Sequence, residues 1–120
     1  MQFISVHFQS SIAVLLVALS ICACGTHATS EKDFVGKWKS TKLETPIYLY
    51  ENGEWEVKSE DGKVLQYGIW QYEGNKIRWT YKIRSQISHE LNEVLSASSS
   101  EFQLKELDGT TTTFSRLDQN

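Results

Sequence analysis

From Ile77 to Arg84 the sequence alternates strictly, with Ile77, Trp79, Tyr81 and Ile83 set against Arg78, Thr80, Lys82 and Arg84. Successive side chains of a strand point to opposite faces, so this run predicts a half-buried antiparallel strand. Turn dipeptides recur at Asn52-Gly53, Asp61-Gly62, Gly74-Asn75 and Asp108-Gly109, and such pairs between alternating runs predict hairpins. A two-residue turn at Gly74-Asn75 pairs Glu73 with Lys76, Tyr72 with Ile77, Trp70 with Trp79 and Gly68 with Tyr81. A two-residue turn at Asp61-Gly62 pairs Glu60 with Lys63, Val57 with Gln66 and Trp55 with Gly68. At Asn52-Gly53 a three-residue loop is expected instead, because a two-residue loop opposes Glu51 to Glu54, a like-charge pair. It sets Ile47 and Leu49 opposite Val57 and Trp55, and a similar loop ending at Gly109 pairs Phe102 with Phe114 and Leu104 with Thr112.

These registers predict an all-β domain with strands over 36–43, 46–51, 54–59, 63–73, 76–85, 92–97, 100–107 and 110–117. The segment from Gln86 to Asn92, which holds His89 and Glu90, is expected as a polar loop, and Ser96 to Ser100 as a turn. An eight-stranded up-and-down antiparallel meander removes its edges only by closing into a barrel. Trp55, Trp70, Trp79, Tyr81, Phe102 and Phe114 then point inward. They form a packed core, or they line a small apolar pocket with Gln66 as its polar element. Leu65, Tyr67 and Ile69 fall on the outer face, where an apolar row is a candidate surface for a protein partner.

A different pattern opens the chain. Ile12 to Ile21 is an uninterrupted apolar run apart from Ser20, and the first charged side chain is Glu31. The run is short for a membrane span, which takes about 20 apolar residues, and has the length of a signal-peptide core. Ile21-Cys22-Ala23-Cys24-Gly25 resembles a lipobox, with a small residue before the cysteine and an apolar one at the third position upstream. The resemblance implies a signal peptide over 1–23 and a lipid-modified Cys24, carrying acyl chains such as palmitate. Gly25 to Lys32 is small and polar without periodicity, so a flexible tether is expected over 24–33, followed by the barrel over 34–117 and a tail over 118–120. Gly25 after the cysteine resembles lipoproteins delivered to the outer membrane and implies a cell-envelope location facing the periplasm. Cleavage there leaves Cys24 as the one mature cysteine, so no disulfide framework is expected.

Composition narrows the rest. Twelve Lys and Arg against fifteen Asp and Glu leave a formal charge of −3, with no basic run; nucleic acid is not an expected partner. The four Trp and five Tyr all follow the apolar leader and supply a core.

Phe34-Val35-Gly36-Lys37-Trp38 resembles the Gly-x-Trp opening of lipocalins, and Phe114-Ser115-Arg116-Leu117 resembles the late strand whose arginine packs over that tryptophan. The match, with the glycine turns between, is to short bacterial lipocalin-like lipoproteins over roughly 34–117. It implies a calycin-type barrel closed at one end by Gly36, Trp38 and Arg116, and a small apolar or amphipathic ligand held in the envelope. The alternative is a solid barrel that works through its outer face.

No catalytic set is legible. His89 is the one histidine of the expected domain, too few for a metal site of the usual composition. There is no nucleophile elbow and no glycine-rich phosphate loop. Glu51, Glu54, Glu56, Glu60 and Asp61 read as a solvated acidic face. Neither an enzymatic activity nor a cofactor or metal is expected.

Overall fold

A computed structural model describes residues 29–118; Cys24 and the apolar leader lie outside the described residues. The chain forms a closed barrel of eight antiparallel strands in sequence order. They are β1 (Gly36–Ser40), β2 (Ile47–Leu49), β3 (Glu54–Lys58), β4 (Val64–Glu73), β5 (Lys76–Ile83), β6 (Gln86–Ala97), β7 (Glu101–Lys105) and β8 (Thr111–Arg116). β1 pairs with both β2 and β8, which leaves no open sheet edge.

The turn chemistry works as predicted at three hairpins. Gly74 and Asn75 adopt φ of 56° and 67°, and the β4–β5 register runs from Glu73 opposite Lys76 to Gly68 opposite Tyr81. Positive φ at both centres suits the right-handed twist of the flanking strands. At the β2–β3 and β7–β8 turns, Gly53 (φ 90°) and Gly109 (φ 88°) take the left-handed position, and Ile47 pairs with Val57, Leu49 with Trp55 and Phe102 with Phe114.

The structure corrects other expectations. The Asp61-Gly62 turn is one residue longer: Ser59 N–H donates to the Lys63 carbonyl at 2.9 Å, and Gly62 N–H to the Ser59 carbonyl at 3.0 Å. A bulge beside Val57 and Lys58 then restores Val57 opposite Gln66 and Trp55 opposite Gly68. Two one-residue departures cancel, so the inward face is as predicted while the Glu60–Lys63 pair is not formed. Gln86 to Asn92 is not a loop. It is the first part of β6, paired with β5 from Ile83 opposite Gln86 to Lys76 opposite Glu93. The turn is Arg84-Ser85, with Arg84 at φ 58°, a left-handed position without the glycine or asparagine that usually marks it. β6 continues through Ser96 and Ala97, so the serine turn shortens to 98–100. Ahead of β1, a 3-10 helix (Glu31–Phe34) with Ser30 as N-cap stands in the segment expected as tether.

The two ends differ. The 51–53, 74–75 and 98–100 turns gather at the end covered by the 3-10 helix, where Phe34, Trp38, Leu49, Trp70, Ile77 and Phe102 are at most 1% exposed. Phe102 packs edge-on against Phe34 at 5.0 Å and Trp38 at 4.6 Å between ring centroids, a favoured aromatic geometry. Arg116 seals this end. Its guanidinium lies 4.2 Å from the Trp38 ring centroid and donates to the carbonyls of Ser99 (2.6 Å), Val35 (2.9 Å) and Asp33 (3.3 Å). Trp38 Nε1 donates to the Phe34 carbonyl at 2.9 Å. Gly36, at φ 147°, leaves room for this arginine: a Cβ there meets Arg116 Nη1.

Candidate functional site

The opposite end is open. Between the 41–46, 59–63, 84–85 and 106–110 connections lies a cavity of about 640 Å³, within the range of small-molecule sites. Trp55, Trp79 and Phe114 form much of its inner wall, with Ile47, Val57 and Leu104 around them. The Trp55 and Trp79 rings meet edge to face at 6.2 Å, and Trp79 stacks on Phe114 at 6.5 Å.

Gly68 makes this wall. It lies opposite both Trp55 and Tyr81, and a Cβ there meets the Thr80 carbonyl and comes within 2.6 Å of Trp55 Nε1. The missing side chain lets the Trp55 indole cross the strand and donate to the Thr80 carbonyl at 3.3 Å.

Of the residues proposed from sequence to line a pocket, Trp55, Gln66, Trp79, Tyr81 and Phe114 surround this cavity. Trp70 and Phe102 do not: they are 1% and 0% exposed and belong to the packed end. Trp70 Nε1 is taken up by the Tyr50 carbonyl at 3.1 Å. Sequence reasoning missed the polar wall, which Lys42, Glu90, Asn92 and Glu106 build. Glu106 accepts from Lys42 Nζ at 2.8 Å and from Thr112 Oγ1 at 2.8 Å. This bond holds the Lys42 ammonium above the usual lysine range, against a smaller opposing effect of burial. Asn92, 2% exposed, donates through Nδ2 to the Lys105 carbonyl at 3.0 Å. The signal was present as an inverted alternation: Ser88, Glu90 and Asn92 share the face of Tyr81, Trp79 and Ile77, while Ile87, His89 and Leu91 point outward.

Outside the barrel, β4 and β6 carry a second feature. Tyr67 is 72%, Ile69 53% and Ile87 68% exposed, with the Thr80–His89 contact of 3.0 Å beside Ile69 in the register. The outer face of β2 and β3 is instead covered, with Lys58 Nζ 4.7 Å from the Tyr48 ring centroid and Tyr50 Oη donating to Glu56 at 2.7 Å. Among the described residues, no group of His, Cys, Asp or Glu is placed to hold a metal ion. The chain matches no protein-family model, no curated protein and no solved structure; it is an all-β closed barrel of eight antiparallel strands, an architecture consistent with a lipocalin-like fold.

Proposed function

We propose that the protein is a membrane-anchored, lipocalin-like lipoprotein that holds a small apolar or amphipathic molecule in the cell envelope, with no catalytic role. The observation that carries the binding reading is the cavity of about 640 Å³ at one end of a barrel whose other end is packed solid. Gly68 helps to keep this volume open by letting Trp55 lie against the sheet. The apolar run Ile12–Ile21 followed by Ala23-Cys24-Gly25 supports the anchor. A Cys24-linked lipid holds the barrel at a membrane surface, and outer-membrane delivery accords with Gly25. Fold alone does not name the cargo.

Native mass spectrometry of the protein, purified gently from the cells that make it, tests the binding reading. The expected result is a reproducible extra mass that is lost on denaturation; a clean apo mass after exposure to envelope lipid extracts contradicts it. Incorporation of labelled palmitate tests the anchor: it is expected in the wild type and absent in Cys24→Ser.

The bare outer face favours a second reading, in which a protein partner docks on Leu65, Tyr67 and Ile69. An exposed apolar row of this kind is uncommon on a monomer. Crosslinking from Tyr67 in cells should then yield a discrete adduct that Ile69→Lys removes; an unchanged pattern speaks against it.

A further inference from the structure

The inner polar wall has a specific chemistry. Glu106 is already engaged, by Lys42 and Thr112 at 2.8 Å each. Glu90 is different. It is half-buried, lies opposite Trp79 in the β5–β6 register and lines the cavity, and its carboxylate makes no hydrogen bond or ion pair with the described residues. Lys42 is near enough to feel its charge, yet that ammonium is bonded to Glu106. Asn92, the next inward residue of β6, spends its amide on the Lys105 carbonyl. Its Oδ1 takes no hydrogen bond from the described residues and, since no fully buried side-chain polar atom among them lacks a partner, it faces the cavity that Asn92 lines. Beside these acceptors the cavity is lined by the rings of Trp55, Trp79, Tyr81 and Phe114, whose faces are negative.

Each of these groups favours positive charge or a hydrogen-bond donor. Aromatic faces attract a cation brought near them out of water, and a half-buried carboxylate without a partner is offset best by a charge-assisted hydrogen bond. The cations that also border the cavity, Lys82 and Arg84, are exposed, where water and salt screen them.

We propose that the cavity selects organic cations: an amphipathic amine whose ammonium sits between Glu90 and Asn92 Oδ1, with its hydrocarbon part against Trp79 and Phe114. This rests on the reading of the cavity as a ligand site.

The test uses the full-length protein and three probes of one skeleton: 4-phenylbutylammonium, 4-phenylbutanol and 4-phenylbutyrate. Binding is read from the indole N–H signals of Trp55 and Trp79 in nitrogen-15 correlation spectra. The expected order is ammonium, then alcohol, then carboxylate, with Glu90→Gln weakening the ammonium about tenfold, the loss of one charge-assisted contact, and leaving the alcohol unchanged. Equal affinities for all three probes, or tightest binding of the carboxylate, overturn the cation preference while the cavity remains a ligand site. An unchanged ammonium affinity in Glu90→Gln overturns the role of that residue. Indole signals that move with none of the probes overturn the ligand site itself.

Discussion

The closed and open ends of this barrel are built from the same strands, yet they obey different rules. At the closed end Phe34, Trp38, Leu49, Trp70 and Phe102 pack together, and Arg116 spends its donors on Ser99, Val35, Asp33 and Asp118, so burial and hydrogen bonding are satisfied together. At the open end the inward positions of β6 are Ser88, Glu90 and Asn92, and the apolar residues of the same stretch, Ile87 and Leu91, are 68% and 42% exposed. A packed end stabilises the fold. An end that keeps polar groups facing a cavity forgoes part of that stabilisation, a common feature of functional sites.

The largest expected effect that breaks this contrast is at the tryptophans. Trp38→Ala should cost about 3–5 kcal/mol, as for other buried large-to-small changes. Trp79→Ala should cost less, about 3 kcal/mol, since Trp79 is 9% exposed and borders a cavity that is already there; urea unfolding checks both, and equal losses deny the difference between the ends. Gly68→Ala should follow, at about 2–3 kcal/mol for overpacking, because the Thr80 carbonyl is backbone and cannot swing away. Arg116→Met keeps a stem over Trp38 but strands the Val35 carbonyl, an expected loss of about 2 kcal/mol by the same measurement.

Smaller effects sharpen the picture at the open end. Arg84→Gly should raise stability by about 0.5–1 kcal/mol, since arginine at φ 58° carries a strain that glycine does not. Asp108→Asn probes the turn at Gly109. Thr110 donates to Asp108 Oδ1 through Oγ1 at 2.6 Å and through its N–H at 3.0 Å, and these bonds hold the carboxyl below its usual range. A lowered folded pKa stabilises above the unfolded value and is lost as pH falls through the folded one. Thermal melts should therefore show Asp108→Asn slightly less stable than wild type near neutral pH, with the gap closing in acid.

The same contrast governs what could be read in the chain. The strand from Ile77 to Ile83 and the glycine turns at Gly53, Gly74 and Gly109 were legible because apolar alternation and left-handed glycines coincide there. The inward face of β3 and β4 agrees with the alternation despite the longer turn, because the bulge beside Val57 compensates for the extra loop residue. β6 was not legible: its alternation is inverted toward a polar cavity wall, and its turn uses Arg84. In the sequence Glu90 therefore reads as loop and Asn92 as a strand edge, although both line the cavity. Trp70 and Phe102 read like the other inward aromatics because alternation sets the face of a strand and not the height along the barrel.

A division between the two ends runs through the four tryptophans: Trp55 and Trp79 on the cavity wall, Trp38 and Trp70 in the packed end. Titrating the protein with 4-phenylbutanol while recording indole N–H signals, each assigned by a Trp→Phe variant, measures it in one experiment. The account predicts that the Trp55 and Trp79 signals shift in a saturable way while those of Trp38 and Trp70 stay in place. Four unmoved signals, or four that move alike, would contradict it.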